Sequence, residues 1–382
     1  MKKMILCIFL LGILIPKVVY ALENDLAPNA KSAIMIEQST GEIIFEKNSH
    51  EKLAPASMTK IMTMLIIMES IDKWIIKWDD MVVASKKASG MGGSQIFLQV
   101  GEKMIVRDMI KGIAIASGND ASVAMAEKIA GSEENFVKLM NDKVKELGLK
   151  DTSFKNVTGL DAENHYSSAY DMAMMAKELI KHEEILEYTG TYEDYLRQGT
   201  DRSFWLVNTN KLVRFYDGVD GLKTGYTSGA GYCLTSTAKK NNMRLITVTM
   251  AEPSSEIRNS ETSSMLDYGF NMYSIDKIID GTTKLGTIEI ELGTKEKVNI
   301  IAKEDVNVLN NNLKSKREVT YDIETYKIKA PVSNGDVVGK ISVYENSKKI
   351  MTIDLTVEED IKKANIFKIF VRNFKNIILG NI

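Results

Sequence analysis

The chain has 382 residues, is 44% hydrophobic and contains 5 prolines, so it can bury a large core and is expected to form two domains rather than remain disordered. Its formal net charge of −2 gives no global reason to expect a nucleic-acid partner, which would favour a basic face. It has 3 histidines and neither an H-E-x-x-H nor a C-x-x-C pattern, so no metal and no cofactor are expected.

The N-terminus carries the three parts of an export signal. Two lysines precede an apolar run from Met4 to Ile15, and small residues at alternate positions lead to Ala21, after which we expect cleavage. Because a membrane-spanning helix needs about 20 apolar residues, this run favours a signal peptide over residues 1–21 against an uncleaved anchor. Its removal leaves Cys233 as the only cysteine, so the exported chain cannot form an internal disulfide.

Residues 22–275, the predicted first domain, mix short strands with amphipathic helices. Apolar runs flank the turn residues 39–41, which predicts a hairpin from Ser32 to Phe45. The β-branched, apolar stretch from Arg244 to Met250 predicts a buried strand. Apolar residues at helical spacing predict three helices, over Met58–Ile71, Ala121–Ala130 and Ser132–Leu147.

Residues 276–360 form a predicted second domain, in which the sequence pattern changes. Alternating apolar and polar residues predict strands at Thr287–Leu292, Glu318–Ile323 and Ile350–Val357, with Gly and Asn clusters between them. This small β-rich domain contains no constellation of catalytic side chains, so a spacer or docking role is expected.

Residues 361–382 contain five basic residues and no acidic residue, interleaved with bulky apolar side chains. On a helix, Phe367, Phe370 and Phe374 share one face, whereas Lys368 and most other cations lie on another. This pattern predicts a helix that lies in an anionic membrane surface. The alternative is an ordinary amphipathic helix packed on the protein.

An S-x-x-K pattern can bring a serine hydroxyl and a lysine amine together on a helix, because residues i and i+3 are neighbours there. Five serines satisfy it, at positions 49, 57, 70, 236 and 274. Ser57 differs from the others because Pro55 precedes it and a strongly apolar helix follows, which predicts a place in the first turn. Burial of that helix would lower the pKa of Lys60 and make it a base. The alternative for Ser57 is a simple helix cap.

Two further patterns each occur once in the chain. Ser117-Gly118-Asn119 can aim a hydroxyl and an amide at one site, and Lys223-Thr224-Gly225 offers a cation, a hydroxyl and a backbone that a ligand can approach closely. Each is alternatively an ordinary turn. Their occurrence together with S-x-x-K, in this order, favours a shared catalytic site.

The order S-x-x-K, S-x-N, K-T-G is the signature of penicillin-binding proteins and class A β-lactamases. Over nearly its whole length the chain resembles the low-molecular-weight D-alanyl-D-alanine carboxypeptidases, serine peptidase family S11. The segments that carry the resemblance are Leu53–Lys60, Ile115–Ala121, Gly159–Asp161, Ser167–Asp171 and Val219–Gly225.

The resemblance implies a role for each matching residue. Ser57 becomes the acyl-ester and Lys60 its proton acceptor, and Ser117 with Asn119 completes the proton network. Lys223, Thr224 and Gly225 are implied to bind substrate, as is Arg244, whose alternative is a surface charge at a strand start. The backbone N–H of Ser57 and that of Thr227 or its neighbour are implied to form an oxyanion hole.

The resemblance also implies the fold and the partners. The fold is α+β: a transpeptidase-like antiparallel sheet with helices and an all-helical region, then a small all-β domain and a C-terminal amphipathic helix. The implied partners are peptidoglycan stem peptides, β-lactam antibiotics and an anionic membrane surface, with no nucleic acid. The expected location is the outer face of the cytoplasmic membrane, where residues 361–382 hold the chain peripherally.

Three alternative functions share these residues. A class A β-lactamase should carry an E-x-x-L-N pattern before K-T-G, which residues 156–171 lack. A D,D-endopeptidase would use the same side chains. A penicillin sensor that acylates without turnover is suggested only by Thr158, which stands where some relatives have a histidine thought to assist deacylation.

Overall fold

The computed structural model describes residues 25–378. The predicted signal peptide, residues 1–21, lies outside the described residues, as do the last four residues of the predicted membrane anchor, 379–382.

The first part of the chain contains a five-stranded antiparallel sheet and a helical region. Its elements are β1 (Ser32–Glu37), β2 (Ile43–Lys47), α1 (Lys60–Asp72), β3 (Met81–Val83), α2 (Lys86–Ser89), β4 (Lys103–Ile105), α3 (Val106–Ala114), α4 (Asn119–Ala130), α5 (Glu133–Glu146), α6 (Ala169–Leu179), α7 (Glu184–Thr189), β5 (Glu193–Leu196), β6 (Phe204–Val207), α8 (Leu212–Phe215), β7 (Val219–Thr227), β8 (Gly231–Lys240), β9 (Met243–Glu252) and α9 (Ser255–Met272). The predicted hairpin, the three predicted helices and the predicted strand at Arg244–Met250 are therefore confirmed to within a few residues.

The sheet has the strand order β2-β1-β9-β8-β7, and helices cover both faces. Every residue of β1 is buried, because its alternating side chains enter two cores. Ile34 and Ile36 pack towards the helical region, and Met35 packs under α9. A Cβ added to Gly269 of α9 would lie 2.9 Å from the sulfur of Met35, so this glycine permits close packing of helix on sheet. Strand β7 is left at one edge.

The second part is a β domain, as predicted. Its elements are β10 (Tyr273–Ile279), β11 (Thr287–Glu291), β12 (Lys297–Ala302), β13 (Val306–Asn311), β14 (Val319–Thr325), β15 (Ile328–Lys329), β16 (Gly339–Glu345) and β17 (Lys348–Val357), followed by α10 (Ile366–Ile378). Six of these strands form one sheet in the order β14-β16-β17-β12-β11-β15, and β10 pairs with β13. A separate apolar core lies within this domain.

The two parts are joined without a loop. Helix α9 ends at Met272 and β10 begins at Tyr273. The guanidinium group of Arg317 donates to Glu42, beside β2, at 2.7 Å and to Glu345 of β16 at 2.9 Å. One side chain thus ties the first part of the chain to the β domain.

Helix α10 presents its apolar side chains to solvent. Phe367 is 75% exposed, Phe370 65% and Phe374 57%. Arg372 of the same helix pairs with Glu296 of the β domain at 3.1 Å. Between residues 25 and 378, we find no helix whose length and apolarity would let it cross a membrane.

Candidate active site

Ser57 lies in a 3-10 turn, Ala56–Thr59, that leads directly into α1. The helix proper therefore begins at Lys60, two residues later than Met58, where the pattern predicts its start. The N–H of Met58 donates to the carbonyl of Pro55 at 3.1 Å, which closes the turn. Ala56 has a φ of +47°, a strained value for a residue with a side chain, and such strain is concentrated at functional sites.

Two glycines allow the backbone to pack tightly around Ser57. A Cβ on Gly159 would lie 1.8 Å from the carbonyl oxygen of Ala56, and one on Gly225 would lie 2.7 Å from that of Pro55 and 3.2 Å from the nitrogen of Ser57. Gly225 belongs to the edge strand β7. The K-T-G strand therefore lies against the turn that carries the serine, as the resemblance implies.

The amine of Lys60 is completely buried and has three oxygen neighbours. Its Nζ lies 3.0 Å from Ser57 Oγ, 2.6 Å from Asn119 Oδ1 and 2.7 Å from the carbonyl oxygen of Thr158. Burial, and then the charge of Lys223, hold the pKa of Lys60 well below its usual range. In its neutral form this amine would donate to Asn119 and Thr158 and could accept a hydrogen bond from the hydroxyl of Ser57.

The S-x-N segment lies at the start of α4 and faces the same site. Asn119 holds Lys60 through its oxygen, and its Nδ2 donates to the carbonyl of Gly92 at 2.7 Å. Ser117 has a φ of +63°, and its buried Oγ has no hydrogen-bond partner among residues 25–378. Its hydroxyl is thus free to take part in a proton transfer.

Asp120, which the sequence analysis did not assign a role, anchors the loop beside the site. Its carboxylate accepts hydrogen bonds from the N–H of Ile96 at 3.0 Å and of Leu98 at 3.0 Å. Because the loop carbonyl of Gly92 holds Asn119, the position of this amide depends on the Asp120 contacts. In the sequence, the only indication of this role is that an acidic residue directly follows the S-x-N motif.

Lys223 and Thr224 lie on β7. Lys223 is 1% exposed, and its Nζ donates to the carbonyl of Thr224 at 3.0 Å. Burial, and then the positive charge of Arg258, lower the pKa of Lys223 to about 7. The hydroxyl of Thr224 donates to the hydroxyl of Thr209 at 2.7 Å, so Thr209 is a further side chain at this edge.

The structure does not bring Arg244 to the site, which corrects the expectation from the resemblance. Lys223 pairs with Thr235, which pairs with Val248, so Arg244 lies four residues, about 13 Å, along β9 from the Lys223 row. Its guanidinium donates to both oxygens of Asp220, at 2.7 Å and 2.8 Å. This ion pair is the surface role that was its alternative.

Arg258 of α9 is the arginine that lies near Lys223. It is 5% exposed, and its only side-chain hydrogen bonds within the described part of the chain go to Asn259. It has no carboxylate within 4.0 Å there, so its charge remains available. Arg258 lies on a helix three elements after K-T-G, so the only sequence signal for its role was its charge.

Thr158 contacts the site through its backbone, and Thr227 contacts a neighbouring loop through its hydroxyl. Thr158 bonds Lys60 through its carbonyl, while its buried hydroxyl donates to Asn156 at 3.1 Å. The hydroxyl of Thr227 donates to Asp161 at 2.8 Å. Within residues 25–378, no group of three or more His, Cys, Asp or Glu is arranged to hold a metal ion.

Two family models match the chain. The model described as D-alanyl-D-alanine carboxypeptidase, Peptidase S11, matches residues 20–254, and the model described as penicillin-binding protein 5, C-terminal domain, matches residues 271–363. Together they span both parts of the structure.

Similar proteins agree with these matches. The D-alanyl-D-alanine carboxypeptidase DacF of Bacillus subtilis is 52% identical over 89% of this chain and 88% of its own length. Penicillin-binding protein 5 of Haemophilus influenzae superposes with a TM-score of 0.69 at 32% identity, covering 88% of this chain and 98% of that one. Penicillin-binding protein D2 of Listeria monocytogenes, solved with cefotaxime bound, superposes with a TM-score of 0.58 at 29% identity over 63% of this chain and 97% of its own.

Proposed function

The chain belongs to the peptidase S11 family of D-alanyl-D-alanine carboxypeptidases, and we propose that Ser57, at the edge of β7, is the residue through which it acts. It is a serine-type carboxypeptidase that removes the terminal D-alanine from peptidoglycan pentapeptides and is covalently inhibited by penicillin. One observation supports the role of Ser57 most directly. Its Oγ contacts the amine of Lys60, which is buried and has a lowered pKa.

Acylation begins with neutral Lys60. Its Nζ takes the proton of the Ser57 hydroxyl as Oγ forms a bond to the carbonyl carbon of the penultimate D-alanine. The tetrahedral intermediate collapses when the C–N bond breaks. A proton from Lys60 reaches the leaving nitrogen through the hydroxyl of Ser117, so terminal D-alanine departs as a neutral amine. This route is supported by the buried Oγ of Ser117, which has no partner within residues 25–378 and lies two residues before Asn119, whose oxygen holds Lys60.

Two groups of donors are proposed to hold the substrate. The N–H of Ser57 and that of the residue after Gly225 stabilise the oxyanion, which the close approach of Gly225 to Ser57 supports. Lys223, Thr224 and Arg258 are proposed to bind the terminal carboxylate, since Lys223 and Thr224 lie on the edge strand β7 and the charge of the buried Arg258 acts on Lys223.

Deacylation returns the enzyme to its starting state. Water attacks the ester carbonyl, gives a proton to Lys60, and the ester bond to Ser57 Oγ breaks as that oxygen regains a proton. Residue 158 contacts Lys60 through its backbone carbonyl. Threonine at this position therefore makes the same contact that a histidine would make. Turnover is therefore proposed, rather than a sensor that stalls as an ester.

The assay for this function measures D-alanine released from a pentapeptide ending in D-Ala-D-Ala, alongside labelling with fluorescent penicillin. The wild type should release D-alanine and Ser57→Ala should neither release it nor be labelled. Labelling without release by the wild type would favour the sensor, and fast penicillin hydrolysis a β-lactamase. Persistent labelling of Ser57→Ala would mean that another serine is the nucleophile.

We also propose that the protein is exported and held peripherally at the outer face of the cytoplasmic membrane. The exposed phenylalanines of α10 support insertion into the interfacial region of a lipid surface, and Lys368 on the same helix supports attraction to anionic lipids. The export signal predicted over residues 1–21 supports the location.

A further inference from the structure

A loop, residues 91–98, holds Asn119 of the proposed site. The carbonyl of Gly92 accepts a hydrogen bond from the side-chain amide of Asn119, and the carbonyl of Ser94 accepts one from its backbone N–H, both at 2.7 Å. The other side-chain atom of this amide, Oδ1, lies 2.6 Å from the amine of Lys60. Whatever keeps the loop in place therefore also helps to place Lys60.

Two arginines bind the carbonyls of this loop. Both lie in the connection between β5 and β6. Nη1 of Arg197 donates to the carbonyl of Ile96 at 3.0 Å, and Nη2 of Arg202 donates to the carbonyl of Phe97 at 2.9 Å. The N–H of Ile96 is bound by the carboxylate of Asp120 at 3.0 Å. This residue of the loop is thus held through both of its backbone groups.

One carboxylate holds both arginines. Oε1 of Glu102 accepts a hydrogen bond from Nε of Arg197 at 2.6 Å, and its Oε2 accepts one from Nη1 of Arg202 at 2.9 Å. Oε2 also accepts from the N–H of Gln99 at 2.9 Å, directly after the loop. The side chains of Arg197 and Glu102 are only 10% and 12% exposed. Glu102, Arg197 and Arg202 therefore form a largely buried ion cluster between the β5–β6 hairpin and the loop.

The backbone of the loop is strained where the ion cluster binds it. Phe97 has a φ of +57°, a left-handed value that favours glycine. Its ring is 59% exposed and contacts Phe204 edge-on, with 5.4 Å between the ring centroids, so packing of the ring gives only partial support. A strained residue persists when the surrounding contacts fix its conformation. The hydrogen bonds from the two arginines are such contacts.

A contribution to stability alone explains this ion cluster poorly. Removing charged groups from water costs free energy that offsets most of their mutual attraction, so buried ion pairs add little net stability. The geometry of the cluster is specific, however. Each guanidinium uses one nitrogen for Glu102 and another for a loop carbonyl, which the single ammonium group of lysine could not reproduce.

We propose that Glu102, Arg197 and Arg202 are positioning residues for acylation. They fix the loop so that its carbonyls orient Asn119 towards Lys60. They act through Asn119 and not on the reacting atoms. The inference rests on the role proposed above for Asn119 and Lys60 in the acylation of the serine.

The test compares the second-order rate of labelling by fluorescent penicillin for the wild type, Glu102→Gln, Asn119→Ala and the double variant. Glutamine offers one oxygen in place of two and cannot hold both arginines, so Glu102→Gln should be labelled about tenfold more slowly, as loss of a hydrogen bond between charged groups should cause. In the Asn119→Ala background the same change should cost less than about twofold, because the residue through which Glu102 acts is gone. An equal loss in both backgrounds would show a merely structural role and overturn the inference.

Arg202→Lys is a second, milder variant, because it keeps the charge on a side chain that is already 32% exposed. Lysine can bind either Glu102 or the carbonyl of Phe97, so labelling should slow several-fold. Amide hydrogen exchange of residues 91–98 should become faster in Arg202→Lys and in Glu102→Gln. Unchanged exchange in this loop would overturn the inference, even if labelling were slow.

Glu146→Gln is the matched control. It removes a carboxylate that contacts Lys143 at 2.7 Å on the exposed side of α5, while Glu69 still binds that lysine. Labelling and hydrogen exchange of residues 91–98 should both stay at the wild-type rate. A tenfold loss of labelling in this control would assign the effect of Glu102→Gln to its change of charge and overturn the inference.

Asn119→Ala separates the inference from the function on which it rests. If this single variant is labelled as fast as the wild type, the role of Asn119 in acylation is wrong and the inference falls with it. If it is labelled slowly while Glu102→Gln and Arg202→Lys keep the wild-type rate, the role of Asn119 stands and only the role of the ion cluster is wrong.

Discussion

The Nζ of Lys60 lies 3.0 Å from the Oγ of Ser57, across the junction between a 3-10 turn and helix α1. This junction is what allows the contact: the serine stays at the edge of the turn, near β7, while the lysine enters the buried helix. Burial then disfavours the charged amine, and the lysine can serve as a base.

Lys60→Arg should lower the rate of acylation by about 10²-fold or more, because arginine stays protonated and loss of a general base costs this much. The measurement is the second-order rate of labelling by fluorescent penicillin. Lys73→Arg is the matched control, since Lys73 lies on the solvent side of the same region in an ion pair with Glu69. Equal rates for wild type and Lys60→Arg would contradict the assignment of the base.

Lys223→Arg should move the alkaline limb of kcat/KM to higher pH. The pKa of Lys223 is lowered to about 7, so its charge is present below this pH and lost above it, and carboxylate binding weakens as pH rises. Arginine retains its proton throughout, although its larger size should reduce the maximum. Lys239→Arg, on the neighbouring strand, should leave the limb in place. If the alkaline limb of kcat/KM stays at the same pH in Lys223→Arg, the limb reports the titration of another group.

Gly159→Ala should abolish penicillin labelling. The new Cβ would meet the carbonyl of Ala56 at 1.8 Å, so the turn that carries Ser57 must move. Gly148→Ala tests the backbone alone, because Gly148 also has a positive φ, of +68°, but open space around its Cβ. We expect it to cost about 1 kcal/mol of stability and to leave labelling intact. Comparable labelling of both variants would refute the steric argument.

His165→Gln should make the protein less sensitive to acid. The N–H of Lys155 donates to Nδ1 of His165 at 3.0 Å, so Nε2 carries the proton and donates to Thr59. Burial lowers the pKa of His165 to about 4, whereas the unfolded chain takes up a proton near 6.5. Stability present above pH 6.5 is thus lost as pH falls towards 4, by up to about 3 kcal/mol.

Urea unfolding at several pH values measures this acid sensitivity. His50→Gln, which changes an exposed histidine that lies 2.9 Å from Asp151, is the comparison variant. The same slope in His165→Gln would show that the acid sensitivity has another source.

Phe370→Glu combined with Phe374→Glu should release the protein from vesicles that contain phosphatidylglycerol, because both side chains are exposed on α10 and their burial in lipid is the proposed driving force. Tyr321→Glu with Tyr326→Glu changes two exposed aromatic residues of the β domain and should leave binding unchanged. Cosedimentation measures both. Wild-type binding by the phenylalanine variant would eliminate α10 as the anchor.

The sequence anticipated those features that rest on local pattern. Apolar runs on either side of a turn predict β1, and helical spacing predicts α4 and α5. The three motifs predict that Ser57, Lys60 and Asn119 meet. Arg244 shows the limit of this reasoning, because its distance from Lys223 is set by the register of β7, β8 and β9. The position of Arg244 after K-T-G could not reveal that the start of β9, where Arg244 lies, is far from Lys223.

Arg258 was missed for a related reason. Its place depends on how α9 crosses the sheet, which no local spacing encodes. The carbonyl of Thr158 was also out of reach, since a backbone contact leaves no trace in residue type. Side-chain chemistry was thus predictable, whereas contacts made through sheet register and backbone were not.

The direct passage from α9 into β10, with Arg317 bridging Glu42 and Glu345, has a consequence for reach. If α10 holds the chain at a membrane surface, as we propose, a flexible joint would let the cleft take a wide range of heights above that surface, whereas this joint would restrict the range. The enzyme would then trim stem peptides in a thin layer of the wall at a set distance from the lipid, and the length of the β domain would define that layer.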